Sequence, residues 1–94
     1  MGKYLNDKIE VNNMERKALK WNVKTNEYDI YRLPFKASAY ESDLHTIIAC
    51  ARCERELSYG DAYTSRQIHT EMGFGYMVCR ECNKLEWNLE RLNE

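Results

Sequence analysis

Two Cys-x-x-Cys pairs, Cys50-Ala51-Arg52-Cys53 and Cys79-Arg80-Glu81-Cys82, constrain this chain more than anything else in it. Residues 54–78, 25 positions, separate them. A Cys-x-x-Cys turn places two sulfurs on one side of a cation without strain. A second turn alongside completes a tetrahedral shell, at about 2.3 Å from each thiolate for zinc, and leaves no open coordination position. The separation exceeds the commonest spacing for such sites, and a β-hairpin fills the difference. The expectation is one structural Zn2+ held by Cys50, Cys53, Cys79 and Cys82. A rubredoxin-like iron site and a redox-active dithiol are the alternatives; neither pair sits in the βαβ setting of a thioredoxin motif.

Size makes a staple useful. A chain of 94 residues buries a smaller share of its surface than a larger domain does, so its own core is thin. The first stretch, Met1-Gly2-Lys3-Tyr4-Leu5-Asn6, lacks the apolar run of a signal peptide, and Asn6 stands where a myristoylation signal wants Ser or Thr. No apolar run is long enough to span a bilayer. The reading is a cytoplasmic protein with no membrane partner, in a compartment where four cysteines point to metal or redox chemistry before disulfides.

Along the chain, residues 1–13 read as a loose lead-in or short strand. Leu19, Trp21 and Val23 alternate with Lys20, Asn22 and Lys24. Thr25-Asn26-Glu27 makes a polar turn, and Tyr28 and Ile30 alternate on the return, which Pro34 ends. A β-hairpin over residues 18–33 follows. Residues 35–43 carry no assignment. Residues 46–49 are a short strand delivering Cys50. Residues 58–61 turn, with Gly60 free for positive φ, and residues 62–69 and 76–78 pair across the turn at residues 71–75. From residue 80 onward Cys82, Leu85, Leu89 and Leu92 recur at helical spacing. The fold class is α+β: an N-terminal β-hairpin or small antiparallel sheet packed on a knuckle, a second hairpin and a C-terminal helix. Residues 1–49 form the extension and residues 50–94 the metal-binding module, together one compact unit.

The run Cys50-Ala-Arg-Cys-Glu-Arg-Glu-Leu-Ser-Tyr-Gly-Asp-Ala-Tyr63, closing with Val78-Cys-Arg-Glu-Cys82, resembles the small LIM-like treble-clef zinc finger proteins of bacteria and their phages. The resemblance covers residues 50–92 and implies a treble-clef fold and zinc; the functions of such proteins are too varied to carry over. The chain departs from the pattern at Glu54, where many such knuckles carry glycine.

Function is expected to lie in binding. With the four cysteines, His45 and His69, the two histidines, leave the chain short of the eight ligands of a two-zinc RING, and no His supports a nuclease-type second metal site. An enzyme is not expected. Tyr59, Tyr63, Phe74 and Tyr76 lie on the second hairpin and Trp87 on the flank of the helix, so these five are candidates for a surface that docks another protein. The leucine stripe is expected to pack on the hairpin, and Trp87, pointing elsewhere, to offer a partner surface or homodimer seam. A regulator or adaptor role follows. Nucleic-acid binding is the alternative, through Arg16, Lys17, Lys20 and Lys24 with aromatic stacking. Charge is divided: residues 1–36 carry eight Lys/Arg against five Asp/Glu, and residues 37–94 six against ten. The metal half is therefore acidic, which disfavours phosphate contact there. A sensor that releases zinc on oxidation is the second alternative.

Overall fold

A computed structural model describes residues 16–92, and the expected lead-in over residues 1–13 lies outside them. Six strands and one helix follow in order: β1 (Lys17–Asn22), β2 (Glu27–Arg32), β3 (Ile47–Ala49), β4 (Glu56–Ser58), β5 (Tyr63–His69), β6 (Gly75–Val78) and α1 (Arg80–Leu92). A single 3-10 turn, Tyr59–Asp61, joins β4 to β5. The architecture is a small α+β fold with antiparallel sheets and one C-terminal helix.

The β1–β2 hairpin closes through Asn22 and Asn26. The Asn22 side-chain oxygen accepts the Lys24 N–H at 2.9 Å, and the Asn26 N–H donates to the Asn22 carbonyl at 2.8 Å. Asn26 has φ 58°, a left-handed conformation that asparagine tolerates better than most residues.

This hairpin does not stack face-on against the rest. β1 pairs with β5, Leu19 opposite His69 and Lys20 opposite Ile68, so one four-stranded sheet runs in the order β2-β1-β5-β6. Hydrogen bonding within this sheet thus joins residues on both sides of position 49. β3 and β4 form a separate two-stranded ribbon.

Alternation along the hairpin puts Leu19 opposite Ile30 and Trp21 opposite Tyr28. That shared face is largely open, with Ile30 70% exposed. The covered side is the other one, where Ala18 lies opposite Tyr31. The core there consists of Ala18, Leu33, Ala37, Ala51, Ile68 and Val78 together with Cys50, Cys79 and Cys82. Three of the four cysteines are therefore core residues, among neighbours that are mostly small. Tyr31 spans the gap and donates its hydroxyl to the Ala51 carbonyl at 2.6 Å.

The register of β5 against β6 slips between Thr64 and His69. Gly75 sits opposite this irregularity. A Cβ there would lie 2.5 Å from Thr64 Cγ2 and 2.7 Å from the Ser65 carbonyl oxygen, so only glycine fits.

The helix corrects one expectation. Leu85 and Leu92 are exposed and only Leu89 of the leucine stripe is half-buried. The buried residues of α1 are Cys82 and Glu86. The helix is turned so that its contact line with β5 runs through a carboxylate.

Candidate metal centre

The knuckle begins where β3 ends. Cys50 donates its N–H to the Arg55 carbonyl at 2.7 Å, and Glu54 donates to the Cys50 carbonyl at 3.0 Å, closing the turn. Glu54 takes φ 71°. The backbone adopts the left-handed turn that glycine usually supplies, although this side chain does not favour it. Ala51 donates to the Met77 carbonyl at 2.9 Å, which ties the knuckle to β6 just before Cys79. Cys79 stands at the start of α1, and Cys82 lies in its first turn.

These connections bring the four sulfurs of Cys50, Cys53, Cys79 and Cys82 within 4.8 Å of one another. Tetrahedral thiolates about 2.3 Å from one ion would stand about 3.8 Å apart. The Cys53 and Cys79 sulfurs are 3.7 Å apart. The donor set therefore fits a metal ion.

The hydrogen bonds around the sulfurs agree. Cys50 Sγ accepts three backbone N–H groups, from Cys79 at 3.2 Å and from Arg52 and Cys53 at 3.4 Å. Burial opposes ionisation of Cys50, yet the N–H donors of Cys53, Cys79 and Arg52 bring its thiol down to about 7. Burial pushes the Cys79 and Cys82 thiols up from their ordinary value. Ionising all four together calls for a cation among them, which couples metal binding to proton release. Four thiolates on a divalent ion leave a net charge of about −2, and the amides aimed at Cys50 offset part of it.

A second constellation, absent from the sequence reading, lies beside the sulfurs. Glu86 is 0% exposed. It accepts the Ser65 hydroxyl at 2.6 Å and the Arg66 N–H at 2.8 Å. Arg52, from inside the first Cys-x-x-Cys turn, places Nε 3.4 Å from the Glu86 carboxylate and donates Nη2 to Gln67 Oε1 at 2.9 Å. One ion pair thus joins the knuckle, β5 and α1. Local pattern could not have announced it, since Glu86 among Leu85, Trp87 and Leu89 reads as a solvated position.

The residues expected to dock a partner divide into two sets. Tyr63, Phe74 and Trp87 are exposed, Phe74 by 62% and Trp87 by 50%. The Arg66 guanidinium lies 4.2 Å from the Trp87 ring centroid and pairs with Glu90 at 2.7 Å. Tyr76 packs against the core, and the half-buried Tyr59 meets Tyr40 edge to face at 6.5 Å. Of the basic residues, Arg16 donates to the Phe35 and Ala37 carbonyls at 2.9 and 2.8 Å. Lys20 is half-buried over the Tyr31 ring, at 5.2 Å, while Lys17 and Lys24 are exposed.

No protein-family model matches the chain, and no curated protein or solved structure matches it. The fold and the site define a small α+β protein with a four-cysteine cluster positioned to hold a metal ion. Among the described residues no helix is long and apolar enough to cross a membrane.

Proposed function

We propose that this chain is a non-enzymatic, zinc-stabilised module of the LIM-like treble-clef type that docks on another protein, a small cytoplasmic regulator or adaptor of bacterial or phage origin. The carrying observation is the clustering of four thiols within 4.8 Å, which would saturate a tetrahedral ion and leave it no position for substrate. The order knuckle, hairpin, helix supports the treble-clef reading. The left-handed backbone at Glu54 supports it as well, because the turn keeps its geometry where glycine is missing. Zinc, with no geometric preference of its own and an affinity for thiolate, is the ion this donor set suits.

Docking is supported by the apolar groups left in water on the metal half. Phe74, at the tip of the β5–β6 hairpin, and Trp87, on the outer flank of α1, have aromatic area that the core does not use. Aromatic residues at exposed positions are the usual anchors of protein interfaces. The zinc-loaded chain, immobilised, should retain one partner from a lysate of its host. Trp87→Ala or Phe74→Ser should lower that retention at least about tenfold, as anchor truncation does. Retention unchanged in both variants would remove the surface from consideration.

The oxidation-sensor reading is favoured by one contact. Cys53 is the exposed member of the four, and its sulfur lies 3.7 Å from that of Cys79. Mild peroxide that ejects the metal and joins these two sulfurs would establish it, the peroxide taking the electron pair.

A further inference from the structure

Beside the ion pair of Glu86 and Arg52 the sheet carries a cleft of about 290 Å³. Its wall includes Lys20, Trp21, Arg52, Gln67 and Leu89, with Asp29 at the side. Three facts set it apart from an ordinary surface hollow.

First, three cations line it, Lys24 from the exposed β1–β2 turn at its rim and two less exposed ones from different elements. Lys20 comes from the middle of β1 and Arg52 from the knuckle. Burial lowers the Lys20 pKa, and the Arg52 charge lowers it further, so the two positive groups feel each other. Glu86 and Asp29 act in the opposite direction. Second, neither Lys20 nor Arg52 is used up. Among the described residues no carboxylate lies within ion-pairing distance of Lys20 Nζ, which rests over the Tyr31 ring. Asp29, its cross-strand neighbour, receives the Asn22 side-chain amide at 3.1 Å. Gln67 takes an Nη2 hydrogen of Arg52 and Glu86 faces its Nε, which leaves the Nη1 end with no partner among the described residues. Third, Gln67 is 1% exposed and its Nε2 donor has no partner there either. A buried donor left unpaired is costly, and such groups call for an explanation.

Partly buried cations beside a leucine make the chemistry of a site for a small anion with an apolar body. We propose that the cleft binds a small organic acid or phosphate ester, its anionic oxygens held by Lys20 and Arg52 and its apolar part against Leu89, with Trp21 next to Lys20 on β1 near enough to report occupancy. Binding here stands apart from the docking reading above, which uses Phe74 and Trp87.

The test uses the full, metal-loaded chain at low salt. Trp87→Phe leaves Trp21 as the one indole, whose fluorescence reports occupancy. The probes are phenyl phosphate, phenylacetate and, as the neutral control, benzyl alcohol. Both anions should quench Trp21 and bind at least about tenfold more tightly than the alcohol, with dissociation constants in the range of about 1 mM or below. Lys20→Gln should weaken the anions about tenfold, by removal of one charge-assisted contact. Lys20→Arg should keep most of the affinity, and Lys17→Gln, on the same strand away from the cleft, should leave it unaltered. Equal binding of the alcohol and the anions would overturn the proposal, as would anion affinity indifferent to Lys20→Gln. Absence of quenching up to about 10 mM would overturn it as well. Lys20 rather than Arg52 is varied because loss of Arg52 would strand Glu86.

Discussion

Replacing Glu86 with leucine should cost this protein a large part of its stability, although leucine suits a helix and a buried position. The carboxylate is 0% exposed and serves three groups: the Ser65 hydroxyl at 2.6 Å, the Arg66 N–H at 2.8 Å and the Arg52 Nε at 3.4 Å. Removing one member of a buried ion pair typically costs about 3–5 kcal/mol, because the other charge stays buried without compensation. Arg52, with an 11% exposed side chain, has little access to water as a substitute. The stranded Arg66 amide adds about 1–3 kcal/mol. Leucine returns some of this through apolar burial, about 2 kcal/mol. A net loss of about 2–6 kcal/mol remains, which for a domain of this size lowers Tm by at least about 8 °C. The assay is urea and thermal unfolding of the metal-loaded chain, with Arg52→Met and the double variant completing a cycle. The double variant should be more stable than the sum of the single losses by about 2 kcal/mol, since neither charge is then left alone. A Glu86→Leu loss below about 1 kcal/mol, or strict additivity in the cycle, would refute the reasoning.

Three further outcomes follow from particular residues. Glu54→Gly should raise stability by about 1 kcal/mol in urea unfolding, because φ 71° costs glycine nothing and costs glutamate a steric contact. Gly75→Ala should lower it by about 1–3 kcal/mol, the added Cβ meeting the Ser65 carbonyl at 2.7 Å; a neutral result would mean β5 gives way there. Tyr31→Phe should lose about 1 kcal/mol in the same assay, through the hydroxyl that reaches Ala51 at 2.6 Å.

Much of this arrangement is legible from residue patterns. The clustering of the four cysteines, the Asn-containing turn and strands β3, β5 and β6 follow from spacing and turn chemistry; β4 does not, since residue 58 reads as part of a turn, and the positive φ expected at Gly60 falls at Gly73 instead. What local pattern could not decide was which face is covered. Leu19, Trp21, Tyr28 and Ile30 do share one face of the hairpin, yet it is the side with Ala18 and Tyr31 that meets the knuckle. The pairing of β1 with β5 settles that, and it joins segments too far apart in sequence for periodicity to register. The helix failed for a related reason. Counting apolar positions favours Leu85, Leu89 and Leu92, whereas the rotation of α1 is bound to Cys82, and Glu86 follows one turn later on the same side. A carboxylate there is tolerated because Arg52 lies beside it, and that neighbour comes from the other cysteine turn. Metal-site geometry overrode the apolar stripe.

The central claim is that one cation closes the thin core by joining the two cysteine turns. Titrating the reduced, metal-free chain with cobalt(II), whose colour reports its ligands, tests this most directly. The account predicts saturation at one ion per chain with a tetrahedral, four-thiolate spectrum, gain of folded structure in the same step, and displacement by zinc. A spectrum without thiolate-to-cobalt charge transfer would contradict it, as would a fold already complete before any metal is added.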